Sequence, residues 1–121
     1  MNETKEITNL IERLDVFEDR LSVKIMAISA WIETAYHRPY LVKVNGELHS
    51  QNGTSLKQPT WVVVDVYDTY GRLLGTNNQG TSFLEFIEPE SFFGFHSFSV
   101  DAQIPIAAVG KVRVYPKRYE D

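Results

Sequence analysis

Cysteine is absent from this sequence, and so are a long apolar run and a secretory signal. Without cysteine the chain has no disulfide, no thiolate nucleophile and no cysteine-ligated metal. The longest mostly apolar stretch, residues 25–32, is far shorter than the roughly 20 residues of a transmembrane helix. The N-terminus lacks a basic start followed by an apolar run, so no signal peptide is predicted. We therefore expect a cytoplasmic protein without a membrane span, or an extracytoplasmic one if the chain is a processed or truncated product.

Basic excess and catalytic motifs are also missing. The net charge is −4, with 12 basic and 16 acidic residues, so binding of nucleic acid by bulk electrostatics is not expected. No Gly-x-Ser-x-Gly, glycine-rich phosphate loop or His-Glu-x-x-His motif occurs. The three histidines fall in separate predicted elements and none has a metal ligand at a typical spacing. We predict that the protein is not an enzyme, with no catalytic residue, no cofactor and no metal.

Apolar and aromatic residues are plentiful by contrast. They make up 43% and 12% of the 121 residues, which is enough for a hydrophobic core and excludes a disordered chain. The length corresponds to one domain with an appended segment.

The clearest pattern lies in residues 61–67 and predicts a half-buried β-strand. Every second residue is a valine on one face, and the other face carries Trp61, Val63, Asp65 and Tyr67. Asp65 lies on the face that also carries Trp61 and Tyr67. A lone carboxylate is costly in a dry core, so the opposite face, which consists of valines alone, should point inward. The alternating valines are Val62, Val64 and Val66.

A hairpin is expected to follow this strand. Residues 68–71 (Asp-Thr-Tyr-Gly) have the composition of a turn, because aspartate bonds its own backbone and glycine accepts positive φ. Residues 72–75 should return as a short strand, and residues 76–80 should form a polar loop.

Five more segments alternate with a period of two or are dense in β-branched and aromatic residues. The predicted strands are residues 22–33, 40–49, 81–87, 92–100 and 109–115. About seven strands at this spacing predict an all-β fold, an antiparallel sandwich of two sheets. For residues 22–33, continuation of a preceding helix is an alternative, because alanine and methionine tolerate helix. Pro116 is expected to end the last strand.

One helical pattern precedes the strands. Between residues 3 and 18, apolar residues recur at intervals of three and four, with charged residues between them. We predict an N-terminal amphipathic α-helix within residues 1–20 and a β-sandwich domain in residues 21–121. A helix of about four turns is marginal alone in water, so its apolar stripe should pack on its own sandwich or on another chain.

Three segments carry a resemblance to a known family. Residues 43–48, 64–76 and 84–93 together resemble the FxLYD family of bacterial domains, in which a glycine-containing strand precedes a Tyr-Asp hairpin and a proline corner. The match covers about residues 40–115. The resemblance implies a small immunoglobulin-like β-sandwich without catalytic residues.

Exposed aromatic residues give the hypotheses on function. With the valines inside, Trp61, Val63 and Tyr67 should form an outward stripe, which either the N-terminal helix or another chain covers. We expect a non-catalytic protein-interaction or assembly module with a protein partner, or a self-associating homodimer. The alternatives are a carbohydrate-binding module with an exposed aromatic sheet face, and a proteinase inhibitor that presents residues 50–58 as a loop. The candidate interaction residues are Trp61, Tyr67, Tyr70, Ile7, Leu10 and Leu14.

Overall fold

The described part of the chain forms two four-stranded sheets and one short α-helix. A computed structural model of the chain describes residues 4–35, 38–51, 60–80, 92–101 and 109–118. In chain order, the elements are β1 (Thr4–Glu6), a 3₁₀ turn (Thr8–Leu10), β2 (Ile11–Arg13), α1 (Asp15–Leu21), β3 (Val23–Ala35), β4 (Arg38–Ser50), β5 (Thr60–Asp68), β6 (Leu73–Gly80), β7 (Phe92–Asp101) and β8 (Val109–Arg118). The prediction of a β-rich two-sheet protein is confirmed.

The chain passes repeatedly between the two sheets. Sheet A has the strand order β1-β3-β4-β7, and sheet B has the order β2-β8-β5-β6. Neighbouring strands are antiparallel except for β2, which pairs in parallel with Val112–Val114 of β8. Because β1 lies in sheet A and β2 in sheet B, the first ten described residues connect an edge of each sheet.

One hydrophobic core joins the two sheets, and the predicted valine face lies inside it. The side chains of Val62, Val64 and Val66 have no exposed surface. They belong to the same cluster as Ile25 and Ile32 of β3, Val42, Val44 and Leu48 of β4, and Val112 and Val114 of β8. Burial of each such side chain contributes about 1.5–3 kcal/mol, so this shared interior is the main stabilising feature of the fold.

The predicted N-terminal helix is wrong for most of its length. The α-helix covers only Asp15–Leu21, and the residues before it form two short strands and a 3₁₀ turn. Ile7 lies in the core, and its backbone N–H donates to the carbonyl of Ala30 at 2.8 Å. The helical spacing of apolar residues is therefore overridden, because an isolated helix of this length is marginal and the sheet edges offer its backbone other partners.

Glu18 fastens this N-terminal segment to sheet A. Its carboxylate is 3% exposed and accepts hydrogen bonds from the guanidinium of Arg13 at 2.6 Å and from the backbone N–H of Ile25 at 3.0 Å. The bond from Ile25 gives a hydrogen-bond acceptor to a backbone N–H of β3. The bond to Glu18 raises the pKa of Arg13, which keeps the guanidinium charged.

Two strand ends differ from their predictions. Residues 76–80, expected as a loop, continue β6 because they pair with Asp65 and the residues before it in β5. Pro116 does not end β8, which continues to Arg118. Because β2 pairs only with Val112–Val114, no described strand pairs with β8 at Pro116 on the β2 side, and proline is tolerated at such a sheet edge. The predicted strand 81–87 and most of the predicted inhibitory loop 50–58 lie outside the described residues.

Candidate functional site

The outer face of sheet B carries the aromatic residues that the sequence pattern singled out. Trp61 and Tyr67 are half-buried there, and Val63 between them is buried although it points away from the core. The register places Tyr115 beside Val63 and Lys117 beside Trp61 on the neighbouring strand β8. The helix that was expected to cover this stripe does not form over most of its predicted length, and α1 reaches the face at Tyr115, against which Phe17 packs.

A hydrogen-bonded group fixes the middle of this face. The Asp65 carboxylate accepts from the Thr76 hydroxyl at 2.6 Å and from the Tyr115 hydroxyl at 2.9 Å. The pKa of Tyr115 is raised to about 12. Partial burial of the phenol is the largest cause, and its hydrogen bond to Asp65 is the second. Tyr115 is therefore a neutral donor at any physiological pH, with its ring held in one orientation.

Charge pairing occupies the end of the face near β2. Glu12 bonds Lys111 at 3.2 Å and Arg113 at 2.9 Å, and the bond to Lys111 is the main cause that lowers the pKa of Glu12. The Arg113 guanidinium also lies 5.2 Å from the ring centroid of Tyr67, which is a cation–π distance. At this end of the face, the three charged groups and the Tyr67 ring therefore already have partners within the protein.

The opposite end of the face contains an apolar depression rimmed by cations. Phe17 of α1 packs against Tyr115, with ring centroids 5.7 Å apart, and the Arg20 guanidinium lies 5.5 Å from the Phe17 ring. A depression of about 480 Å³ opens between α1 and the end of β8. We call it the cation–aromatic recess. Its lining residues are Phe17, Arg20, Leu21, Tyr115, Pro116, Lys117 and Arg118.

A second depression, of about 370 Å³, adjoins the cation–aromatic recess. Trp61 and Val63 line it together with Thr76 and Asn78 of β6. It shares Tyr115, Lys117 and Arg118 with the recess. Tyr115, Lys117 and Arg118 therefore line both depressions, and we call the two depressions together the concave surface around Tyr115.

Tyr70 lies at the far end of β5, on the tip of the β5–β6 hairpin. Tyr70 is 83% exposed, and the centroid of its ring lies 5.4 Å from the Arg72 guanidinium. The Asp68 carboxylate holds the turn by accepting from the backbone N–H groups of Tyr70 and Arg72 and from the Arg72 side chain. These bonds, led by the one from the Arg72 N–H, lower the pKa of Asp68.

The six predicted interaction residues do not form one site. Ile7 is buried in the core, Leu10 packs against it, and Leu14 is half-buried just before α1. Trp61 and Tyr67 are six positions apart on one strand, about 20 Å. Only Trp61 borders the concave surface.

The sequence pattern missed Phe17, Arg20, Lys117 and Arg118 as members of a site. The apolar spacing assigns Phe17 to the stripe of the predicted helix, and residues 117–118 follow the proline that was expected to end the last strand. The available signal was the cluster Tyr115-Pro116-Lys117-Arg118, in which two cations directly follow an aromatic residue and a proline.

A third depression, of about 720 Å³, lies between α1 and the ends of β3 and β4. Its lining includes Glu18, already paired with Arg13, and His49, whose ring lies 2.9 Å from the Glu47 carboxylate. Among the described residues, no three histidine or acidic side chains converge in a way that would hold a metal ion. None of the helices in the described ranges is long and apolar enough to cross a membrane.

Comparison with known proteins gives no further assignment. No protein-family model matches the chain, and no curated protein sequence and no solved structure is significantly similar to it.

Proposed function

We propose that the chain is a non-catalytic protein-interaction module with an immunoglobulin-like β-sandwich fold. The connections from β4 to β5, from β6 to β7 and from β7 to β8 each pass from one sheet to the other, as Greek-key sandwiches require. The resemblance of residues 43–48 and 64–76 to FxLYD domains supports the same architecture.

The concave surface around Tyr115 is the observation that carries this proposal. Partly exposed Phe17, Tyr115 and Trp61 lie beside Arg20, Lys117 and Arg118. Aromatic residues and arginine are the types enriched at the energetic centres of protein interfaces. Because internal contacts already orient Phe17 and Tyr115, a partner would lose little side-chain entropy in binding them.

The carbohydrate-binding alternative is less well supported. Stacking of sugar rings needs an open row of aromatic faces. The three candidate rings, those of Trp61, Tyr67 and Tyr70, do not form such a row. Arg113 lies over the Tyr67 ring, and Tyr70 is at the hairpin tip beyond it.

Selection of binding peptides tests the proposal while the identity of the partner stays open. A random peptide library displayed on phage is selected against the immobilised chain, and enriched peptides are tested on variants. We expect a family of related peptides that loses binding to Phe17→Ala and to Lys117→Ala but retains binding to Tyr70→Ala, which removes an equally large aromatic side chain at the hairpin tip. Circular dichroism confirms the fold of each variant. Peptides that bind all variants equally, or a selection that does not converge, would refute the proposal.

A further inference from the structure

We propose that the partner presents an acidic peptide segment, with an aliphatic or aromatic anchor residue that enters the cation–aromatic recess. This inference rests on the proposed function and adds the chemistry of the partner to it.

In the part of the chain that the structure describes, most cations form ion pairs with carboxylates, whereas the cations of the recess do not. Lys111 and Arg113 share Glu12, Arg72 pairs with Asp68, and elsewhere Arg13 and Lys43 pair with glutamates. Within the described ranges, no carboxylate lies at salt-bridge distance from Arg20, Lys117 or Arg118. Three cations thus surround one opening with their charges unneutralised by described groups.

The sign of this cluster is opposite to that of the whole chain. Acidic residues outnumber basic ones by 16 to 12, so the net charge is −4. A positive cluster on an acidic protein produces a local potential that attracts an anionic partner to this surface and repels it from the rest. Charge complementarity therefore favours a ligand with several carboxylates.

The lining of the recess adds a requirement for an apolar group. Leu21 is half-buried and packs against the core, Pro116 is buried, and both line the recess with the rings of Phe17 and Tyr115. A purely charged ligand would leave these apolar surfaces in water. A segment that places one large apolar side chain between acidic residues satisfies both the lining and the rim.

A second copy of the chain does not fit the recess through the same surface. A two-fold symmetric dimer would bring Arg20, Lys117 and Arg118 of one copy against the same cations of the other. Repulsion between these like charges disfavours such a dimer.

Synthetic peptides test the inference. A dye-labelled peptide in which glutamates flank leucine and phenylalanine is titrated with the intact chain, next to a peptide with glutamine at each glutamate position. We expect the glutamate peptide to bind about tenfold more tightly, because several ion pairs of modest strength are lost in the glutamine peptide. Its affinity should fall as ionic strength rises from about 0.05 to about 0.5 M, because salt screens exposed charges.

Charge reversal locates the binding. Lys117→Glu/Arg118→Glu should weaken binding of the glutamate peptide by at least about tenfold. The matched variant Lys5→Glu/Lys24→Glu makes the same change in net charge on exposed strand positions elsewhere and should bind as the native chain does. Glu120→Gln/Asp121→Asn, which removes carboxylates that closely follow Arg118 in the sequence, should bind at least as tightly. Weaker binding by either of these last two variants would overturn the inference.

Other outcomes would also overturn it. Equal affinity for the two peptides would exclude acidic recognition. Tighter binding of a heparin fragment or an oligonucleotide than of the peptide would identify a polyanion site instead. A mass that rises with protein concentration in sedimentation equilibrium, and that Lys117→Glu/Arg118→Glu abolishes, would identify a second copy as the occupant. If phage selection yields neutral peptides that need Phe17, the proposed function stands and this inference falls, whereas a selection that fails to converge removes the proposed function itself.

Discussion

Gly110, at the start of β8, packs so closely against the turn of the β5–β6 hairpin that there is no room for a side chain. A Cβ atom at this position would lie 2.7 Å from the carbonyl oxygen of Asp68 and 2.8 Å from the Cα of Thr69. Both are backbone atoms, and the three hydrogen bonds that the Asp68 carboxylate accepts hold this turn in place. The start of β8 and the hairpin tip therefore depend on each other.

Gly110→Ala should lower the free energy of unfolding by about 1–3 kcal/mol, the cost of forcing an extra carbon into a packed site. Gly71→Ala is the matched control, because Gly71 has φ +84° but no atom within 4 Å of a new Cβ. Its cost should be limited to about 1–2 kcal/mol of backbone strain. Urea denaturation measures both. The amide signals of Tyr70 and Arg72 should shift strongly in Gly110→Ala, and an unshifted turn would contradict the steric argument.

Ala27 is a second residue with an unusual backbone. Its φ is +52°, and it lies in the bulge of β3 between Met26 and Ser29, where the side chain is exposed. Non-glycine residues rarely adopt this conformation in the absence of a local constraint.

Ala27→Gly should raise the free energy of unfolding by about 0.5–1 kcal/mol. Relief of about 1–2 kcal/mol of strain outweighs the added entropy of the unfolded chain. Ser29→Gly, two residues later in the same strand, should instead be destabilising by about 0.5–1 kcal/mol, because φ there is negative. A loss of stability in Ala27→Gly, measured by the same denaturation, would show that the bulge is not strained.

Side-chain hydrogen bonds join α1 of the N-terminal segment to β2 and β3. Glu18 of α1 connects Arg13 at the end of β2 to the backbone of β3. Gln51 adds a bond from its side-chain amide to Asp19 at 3.0 Å and another to the carbonyl of Val23 at 2.8 Å. Of the four side chains that make these bonds, that of Glu18 is almost fully buried.

Glu18→Gln should lower the free energy of unfolding by about 1–3 kcal/mol, because a charged hydrogen-bond acceptor is lost at a buried position. Asp19→Asn at the neighbouring exposed position should change it by less than about 0.5 kcal/mol. Hydrogen exchange provides the more specific measurement. The Ile25 amide should exchange faster in Glu18→Gln only, and equal protection in the two variants would show that the segment is held by other contacts.

At the scale of the whole molecule, acidic groups with lowered pKa make stability depend on pH. The bond from Lys111 lowers the pKa of Glu12, and the bond from the Trp31 indole lowers that of Glu33. With Asp68 they form a set whose pKa values in the folded state lie below the ordinary values of 4.5 for glutamate and 3.8 for aspartate. As pH falls, the unfolded chain takes up protons at these positions before the folded chain does.

The stabilisation from these three groups is therefore fully present above about pH 4.5 and is lost as pH falls through their folded-state pKa values. Thermal unfolding followed from about pH 7 to about pH 2 should show a midpoint that decreases below about pH 4.5. In Glu12→Gln/Glu33→Gln/Asp68→Asn, the midpoint should be lower at about pH 7 and should decrease less with acid. The same decrease in the variant and the native chain would assign acid sensitivity to other groups.

Local residue pattern was sufficient to predict the strands of the hairpin and the inward valine face. The period of two at Val62, Val64 and Val66 leaves one choice of face, because Asp65 between them would be costly in the core. The turn at Asp68 was equally predictable, since aspartate and glycine specify it through bonds within a few residues.

Tertiary structure alone decided the N-terminal segment and the candidate site. The helical spacing of Ile7, Leu10 and Leu14 is real, but backbone bonds to β3 and β8 outweigh the small preference of a short isolated helix. The recess arises because Phe17 and Tyr115, separated by nearly a hundred residues of sequence, are brought within 5.7 Å where α1 meets the end of β8. The spacing of apolar residues along the sequence shows which face of a single element is apolar. The element that covers this face is determined by contacts between segments that are distant in the sequence.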